Sequence, residues 1–477
     1  MVQTLSNLLF DSCYKYSNNV LFETNEIQIT YKQFLLDVTY FANKFGKQIK
    51  KNNNLILAST SYKWAVAYFG IVTSGGIAVL TEPNLSSEKL NILCSKYKIK
   101  TIITDIALLN LKISNISVIN FSNIEINTAH QLNNILPATS ENEVCTIAFT
   151  SGTTDVSKGV MLSNKNLCCN VYAGCSVYKC EMEDVILNVL PFYHLFGLTC
   201  VLLASIINGN KIVFSNAKTF FSDLKTVNPT FLLLVPEIAK FLLLKISKYG
   251  LQETVGSRLN KILCGGAQIG ETIIKNYRKL GISFSSCYGI TECSPGVAIN
   301  PLINGRDNAA GLIVPCNEVK IAEKNQEILI KGSNVTVGYY NNKQLTDKVI
   351  IDGWFHTGDI GFIKDGFLFV TGRIKNLMIF DNGKKVCPEE LENKFLQYPE
   401  IDEIVIYKQE NQIHAKIFSN AFLKHQEIYD AIYGIVKKVN SKLPFYKHVS
   451  NFELMDRPFE KTYTNKIKRG NITDGKR

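Results

Sequence analysis

Residues 146–159, TIAFTSGTTDVSKG, limit what the chain can become more than any other stretch. Thr146 to Phe149 are apolar or β-branched and read as a buried strand. The residues that follow, Thr150 to Gly159, have almost no bulk: hydroxyls, two glycines and one lysine. Placed directly after a strand, such a loop lets backbone N–H groups approach an anion, adds hydroxyl donors and supplies one positive charge. By composition alone it is equally a Ser/Thr-rich surface turn. It is not the Walker loop, because no GxxxxGKS or GxxxxGKT sequence occurs in the chain.

Strand and helix patterns alternate around this loop. Thr30 caps a helical pattern that carries Phe34, Val38, Phe41 and Phe45. LILAST (55–60) reads as a strand, Tyr62 to Val72 as a helix, and GGIAVLTEP (75–83) as a loop and strand. Ser87 to Tyr97 follows as a helix and TIITD (101–105) as a strand. Beyond the loop, strands are expected at Ile186 to Phe192, Lys211 to Ser215, Phe231 to Val235, Lys261 to Cys264 and Phe284 to Ser286. The alternation predicts an α/β fold with mostly parallel sheets covered on both faces. Residues 106–143 are polar and without period. From about residue 310 short strands and turns take over, as in a small antiparallel β subdomain. After Gly372-Arg373 the pattern is α+β. Pro388-Glu389-Glu390 opens a helix, EIVIYK and IHAKIF read as strands, and Ile428, Ile432, Val436, Val439 and Leu443 line a helix face. Two domains are therefore expected: a large α/β domain with a small β subdomain, 1–372, and a small α+β domain, 373–477.

Bulk properties exclude several classes. A chain of 477 residues, 46% apolar and 19% charged, has ample material for more than one packed core. Its longest apolar run, Leu198 to Ile207, is about half of the ~20 residues needed to span a bilayer. The N-terminus has no basic region leading into an apolar run, so neither a transmembrane segment nor a signal peptide is expected. The net charge of +11 is spread along the chain without a nucleic-acid motif, which points to an anionic small ligand and not to nucleic acid. Thirteen cysteines, among them Cys145, Cys200 and Cys264, form no CxxC pair and read as reduced residues of a cytoplasmic protein. The six histidines are too scattered for an HExxH zinc site.

The order TSGTT-x-x-x-KG resembles the phosphate loop of the adenylate-forming superfamily: acyl- and aryl-CoA synthetases, peptide-synthetase adenylation domains and luciferases. Further matches follow in that family's order: PFYHLFG (191–197), Gly265-Gly266-Ala267, Tyr288-Gly289-Ile290-Thr291-Glu292 and HTGD (356–359). GRIKNLMIFDNGKKVCPEE (372–390) and FEKTYTNKIKR (459–469) complete the set and look closest to bacterial fatty-acid or aryl-acid CoA ligases. The resemblance covers nearly the whole chain and is densest over 146–469.

The resemblance implies a reaction and a set of roles. ATP and a carboxylic acid give acyl-AMP and pyrophosphate; the acyl group then passes to the thiol of CoA or of carrier-protein phosphopantetheine. Thr150, Ser151, Gly152, Thr153, Thr154 and Lys158 would hold the β- and γ-phosphates. Gly265, Gly266 and Ala267 would line adenine, Tyr288 would stack on it, and Gly289 would allow close approach. Thr291 would contact the α-phosphate, and Glu292 would hold Mg²⁺. Asp359 and Arg373 would take the ribose. Lys466 matches the lysine that bridges the substrate carboxylate and α-phosphate. Lys375 matches the hinge of a mobile C-terminal domain, and Gly383 the glycine that lines the thiol channel. His194 would sit by the acyl pocket, with Tyr193, Phe196, Val235, Pro236 and Cys293 lining it.

Taken singly, these residues have plainer readings: Asp359 as a turn aspartate, Glu292 as a helix-start acid, Arg373 as half of a surface ion pair, Lys466 as a solvated lysine. No aspartate near PFYHLFG could pair a substrate ammonium until Asp184, which disfavours amino acids. A fatty acid is expected, with an aryl acid of a biosynthetic pathway as the alternative. A non-catalytic nucleotide- or acyl-binding relative is a third reading. It rests on Asp155, which stands where the family has glycine and brings a carboxylate to the phosphate loop. Ser157, Asn465 and Gln326 also replace the family's Pro, Gly and Gly. Oligomeric state is not indicated.

Overall fold

The computed structural model describes residues 4–24, 27–106, 115–126, 139–150, 158–420, 425–461 and 467–469. Its strands form a seven-stranded sheet, a fourteen-stranded sheet and, towards the C-terminus, sheets of three and two strands. In the first sheet Asn53–Leu57 lies between Ile77–Leu80 and Ile99–Thr104, and Ile77–Leu80 pairs in turn with Val144–Phe149, all parallel. Gly159–Ser163 returns antiparallel to Val144–Phe149 with Gly159 opposite Phe149. Thr150 and Lys158, the two ends of the Ser/Thr-rich segment, thus stand together at the carboxyl edge of a parallel sheet. They are joined by a backbone hydrogen bond from Thr150 N to Lys158 O, 3.4 Å. Ser151, Gly152, Thr153, Thr154, Asp155 and Ser157 lie outside the described residues.

The larger sheet begins with parallel strands in the order Val20–Glu23, Lys211–Phe214, Val185–Asn188, Phe231–Leu234, Lys261–Cys264 and Ser283–Gly289. At Ser283–Gly289 its character changes. The far edge of that strand pairs antiparallel with Gly296–Ile299, and the sheet continues antiparallel through Gly311–Ile313, Phe367–Arg373, Trp354–Lys364, Glu327–Gly332 and Asn317–Ile321. The β subdomain expected from the sequence is therefore a continuation of the parallel sheet. From the carboxyl ends of the parallel strands leave Leu190-Pro191, Val235-Pro236, Gly265-Gly266 and, at the last strand's end, Tyr288-Gly289. Open α/β sheets bind ligands along such an edge.

Several strands end earlier than the apolar runs imply. Val185–Asn188 stops because the Asn188 side chain accepts from Leu190 N at 3.0 Å and donates to Leu190 O at 3.1 Å, turning the chain into Pro191. Gln326 tolerates its glycine-like place by adopting a positive φ of 58° in a tight turn. Thr30 caps Tyr31–Ile49 by accepting from Gln33 N, and Pro388 opens Pro388–Phe395, as the sequence predicts. The apolar run near 198–207 is buried helix, Phe196–Leu203 wound with a π-type pitch and Ala204–Asn208 as α-helix. No helix among the described residues is long and apolar enough to cross a membrane. The thirteen cysteines are all free.

The C-terminal part has its own core. Glu403–Gln409, Gln412–Phe418 and Val449–Met455 form a sheet beside helices Pro388–Phe395 and His425–Asn440. Leu391, Phe395, Ile404, Ile432 and Phe452 meet in a cluster separate from those of the larger part. Arg373 closes the last strand of the large sheet, and the short turn Ile374–Asn376, with Lys375, connects the two cores.

Asp184 sits at the amino edge of the parallel sheet, away from the ligand edge. Its carboxylate is 2.5 Å from Lys261 Nζ, with both side chains at least nine-tenths buried. It also accepts from Thr230 Oγ1 and Glu181 N, each at 2.8 Å. A carboxylate so committed has no share in substrate recognition. Lys261→Met leaves that carboxylate buried without its cation and is expected to cost about 3–5 kcal/mol in urea unfolding. Adding Asp184→Asn should recover much of the loss. A single-variant loss below about 1 kcal/mol would mean the pair is solvated.

Candidate active site

Asp359 is the focus of the carboxyl edge. It is 3% exposed and lies directly across from Arg373 in the pairing of Trp354–Lys364 with Phe367–Arg373. Arg373 Nε is 2.9 Å from Asp359 Oδ1, and the Tyr288 hydroxyl donates to Oδ2 at 2.6 Å. Three sequence motifs are thereby joined, the first of them, at Tyr288, 71 residues before Asp359. Burial and the neighbouring carboxylate push the Tyr288 phenol well above its ordinary range, so it remains a donor. Each carboxylate oxygen has capacity for a further hydrogen bond.

The HTGD turn is held from beneath by a residue the sequence reading missed. Glu327, largely buried, accepts from Gly358 N at 2.9 Å and pairs with His356 Nδ1 at 3.0 Å. Thr357 Oγ1 donates to Ile328 O at 2.7 Å and accepts from Asp359 N at 2.9 Å. The glutamate heading EILIKG was visible in the sequence, but its pairing with Trp354–Lys364 was not.

A second cluster joins the two large sheets. Gly338–Tyr339 pairs with Gly159–Ser163, placing Tyr339 beside the base of the Ser/Thr-rich loop. The Tyr339 hydroxyl donates to Glu292 Oε1 at 2.7 Å, and Lys158 Nζ lies 5.7 Å from the Tyr339 ring centroid. Burial and the Glu292 charge raise this phenol as well, which keeps it a donor. Tyr339 was not singled out in the sequence, because no motif marks a residue brought in by sheet pairing. Thr291 and Glu292 stand in the short turn Thr291–Cys293 that follows Gly289-Ile290.

Pro191 to Gly197 builds an apolar wall. A Cβ on Gly197 would stand 2.2 Å from Pro191 O, so only glycine permits the tight turn that presents Tyr193 and His194. Their rings are 4.6 Å apart. Burial lowers the His194 imidazole from 6.5 to about 4, so it is neutral near pH 7. A Cβ on Gly265 would meet Cys287 Sγ at 2.5 Å and Phe196 Cζ at 3.2 Å. Gly265 therefore yields space to Phe196 and Cys287, while Gly266 and Ala267 are exposed on the cleft. Gly289 is required by its own turn, since a Cβ there would stand 2.5 Å from Pro295 O.

One expectation is corrected. Cys293 does not line the acyl wall: it is 0% exposed and packs with Val297, Ala298 and Ile328. The Thr291–Cys293 turn sends its side chain into the core. Cys287, one strand position before Tyr288, is the cysteine at the wall.

The C-terminal motif reaches the same cleft. Lys461 and Ile467 form an antiparallel bridge, and Lys468 N donates to Glu460 O at 2.8 Å. Lys466 and Asn465 lie between them, outside the described residues. Arg469 pairs with buried Glu392, whose other oxygen accepts from Ile406 N at 2.7 Å. Burial raises the Glu392 carboxyl, with Arg469 opposing that shift. One cleft of 2570 Å³ is lined by Thr150, Lys158, Tyr193, His194, Phe196, Val235 and Pro236. Tyr288, Gly289, Thr291, Glu292, Asp359, Arg373, Lys375, Lys461, Ile467 and Arg469 line it too. Burial and Arg373 lower the Lys375 amine. Gly383, at a φ of +76°, occupies the turn between Met378–Ile379 and Lys385–Val386 and is not among the residues lining the cleft.

This fold is that of the acid-activating ligases. An anthranilate CoA ligase solved with anthranoyl-AMP superposes with a TM-score of 0.87 at 18% identity, covering 99% of this chain and 97% of that one. The o-succinylbenzoate CoA synthetase of Bacillus subtilis, solved with its acyl-adenylate intermediate, gives 0.81 at 21% identity, covering 98% of each chain. The chain belongs to the AMP-binding enzyme family, whose model matches residues 9–340. Among its relatives, a probable CoA ligase of Humulus lupulus is 30% identical over 346 residues, 69% of this chain and 65% of that protein. A long-chain-fatty-acid–CoA ligase of Escherichia coli is 27% identical over 58% of this chain and 52% of its own length. A 2-succinylbenzoate–CoA ligase of Bacillus cytotoxicus is 27% identical over 83% and 84%. The matched region thus spans about half to two thirds of the first two relatives.

The neutral His194 makes a pH prediction. Between pH 6.5 and about 4 the unfolded chain takes up a proton at this residue that the folded chain does not. Stability contributed here is present above pH 6.5 and is lost as pH falls towards 4. His194→Phe should flatten the stability profile across that window, the difference from the parent reaching up to ~3 kcal/mol at its acid end. Parallel profiles for parent and variant would show an ordinary histidine.

Proposed function

We propose that this chain activates a carboxylic acid with MgATP, releasing pyrophosphate and forming an acyl-adenylate, and then transfers the acyl group to a thiol, releasing AMP. The observation that carries this reading is the convergence on one cleft of three unlike regions. They are the Asp359–Tyr288–Arg373 acceptor, the Lys158–Tyr339–Glu292 group and the apolar wall around neutral His194.

In this reading Asp359 accepts the ribose hydroxyls with the oxygen capacity that Tyr288 and Arg373 leave unused. Gly266 and Ala267 offer exposed backbone to the adenine, and Tyr288 presents its ring while its hydroxyl is tied to Asp359. Thr150 to Lys158 hold the outer phosphates, and Thr291 donates to the α-phosphate. Two anions must meet at that phosphorus, so cationic groups have to be concentrated there. Lys466, between Lys461 and Ile467 in the sequence, supplies one. Glu292 suits Mg²⁺: it is a hard oxygen donor, and its second carboxylate oxygen accepts no side-chain hydrogen bond among the described residues. The metal there would neutralise phosphate oxygen charge. The chain then divides into units 1–372 and 373–477, with Lys375 at the hinge and Gly383 on the thiol path after the smaller unit turns.

A fatty acid fits best, because Tyr193, Phe196, Val235 and Cys287 around a neutral histidine offer no charge to a second polar group. An aryl acid is the second reading, favoured by the 2-succinylbenzoate–CoA ligase relative, which matches over most of both chains. CoA is the proposed acceptor, with carrier-protein phosphopantetheine as the alternative. Reduced cysteines and these co-substrates support a cytoplasmic setting.

The test is ATP-dependent pyrophosphate release across short, medium and long fatty acids, benzoates and amino acids, with and without CoA. Selective release with a fatty acid, and thioester only when CoA is present, is expected. Release with amino acids alone would overturn the substrate reading, and silence with every acid despite ATP binding would favour the non-catalytic relative. Lys466→Ala should slow adenylation about 10²–10³-fold, the scale for loss of one transition-state charge donor. Thioester formation from supplied acyl-AMP should persist. An equal loss in both half-reactions would remove Lys466 from its assigned role.

A further inference from the structure

Helix Pro236–Tyr249 starts at the acyl wall, where Val235 and Pro236 line the cleft, and runs out to the surface. Its inner face, with Ala239, Leu242 and Ile246, is buried. Its outer face carries Phe241, Leu244 and Tyr249, which are 49%, 67% and 55% exposed. At the helical 100° per residue these three share a sector of about 140° with Lys245 and Lys248, and with one acid, the exposed Glu237 in the first turn. Lys245 Nζ stands 5.0, 5.4 and 5.8 Å from the ring centroids of Phe221, Phe241 and Tyr249, so aromatic and basic groups form one patch. Lys240 lies at its edge. Among the described residues Lys240, Lys245 and Lys248 make no salt bridge, whereas nearby Lys225 is paired with Glu253. Phe241 and Leu244 also line the cleft, which makes the patch continuous with its mouth.

We propose that this face docks on the surface of an anionic phospholipid bilayer. Phe241, Leu244 and Tyr249 enter the headgroup boundary, and Lys240, Lys245 and Lys248 face lipid phosphates. Large apolar side chains set among unpaired lysines on one helix face are the composition of an interfacial helix. The lysines ask for an anionic surface. The apolar groups ask for one with a hydrocarbon interior, and a bilayer supplies both. The arrangement places the mouth of the acyl pocket against the membrane, so an acid can pass from one apolar medium to another. That last consequence rests on the acid-ligase reading, but the docking does not.

The experiment is co-sedimentation of the full chain with phosphatidylcholine vesicles, with and without about one quarter phosphatidylglycerol. Binding to the anionic vesicles, weakened by salt and absent from pure phosphatidylcholine, is expected. Each lysine near such a surface contributes about fivefold to binding, so Lys245→Glu with Lys248→Glu should weaken it about 25-fold or more. Phe241→Ser with Leu244→Ser should weaken it about tenfold with every lysine in place. Circular dichroism of the variants checks that they are folded. Pyrophosphate release with a soluble acid that the parent accepts should be unchanged in the Lys245/Lys248 variant; no release by the parent with any acid of the panel would overturn the ligase reading and leave the vesicle result standing. No sedimentation of the parent with anionic vesicles, or retention by an acidic carrier protein with none by vesicles, overturns the docking. Equal binding by parent and both variants overturns it too.

Discussion

The two hydrogen-bonding edges of strand Ser283–Gly289 set the geometry of the cleft. One edge is bonded in parallel to Lys261–Cys264, the other antiparallel to Gly296–Ile299. A parallel sheet collects its strand ends on one side, and an antiparallel sheet does not. Joining the two in one strand lets Tyr288, at a parallel carboxyl end, meet Asp359 and Arg373 from the antiparallel part. The turn Gly289–Gly296 that makes the switch has room for no side chain at Gly289. The close approach of backbone to backbone thus precedes any close approach of ligand, and the glycine is required by the fold itself.

The cleft is divided by charge. On one side His194 is held neutral by burial, its ring beside that of Tyr193. On the other stand Lys158, Glu292, Asp359 and Arg373, where each carboxylate is already engaged by a tyrosine hydroxyl. The tyrosines matter because acids beside a phosphate site would otherwise repel it. A phenol whose proton is secured by burial orients a carboxylate without cancelling its charge. The acceptor capacity needed for ribose or a metal is thereby kept, and each carboxylate is fixed in direction. An acid lying on the apolar side would bring only its carboxylate to the charged side.

Motifs that lie within one loop were legible in the sequence; contacts made by sheet pairing were not. The α/β alternation reads correctly, and residues of PFYHLFG and HTGD line the cleft, because strand ends and turns carry local composition signals. Glu327 and Tyr339 escaped because each reaches the cleft through a register that links residues far apart in the chain. Cys293 misled for the opposite reason. Adjacent to Glu292 in sequence, it is separated from the cleft by a turn of only three residues, Thr291–Cys293. The nearby Cys287 reached the wall from within the strand. Asp184 shows the limit of counting charges along a sequence: it is the nearest aspartate to PFYHLFG but lies at the wrong end of the parallel strands.

The C-terminal motif gains its meaning from what it is fastened to. Arg469 binds Glu392, and Lys461 binds Glu403 at 2.7 Å, both acids belonging to the C-terminal core or its sheet. Glu392 is buried against Ile406 N, and removing Arg469 would leave that carboxylate without its cation, which opposes detachment. Lys461 and Arg469, which flank the segment containing Lys466 in the sequence, are therefore both anchored to the C-terminal core. If the smaller unit turns about Lys375, these residues must travel with it, while Asp359, Arg373 and Glu292 stay with the large sheet. Under the proposed function, a lysine needed only for the first half-reaction would then be withdrawn by the motion that admits the thiol. In that reading the buried Arg469–Glu392 pair within the C-terminal part is what would couple the two steps.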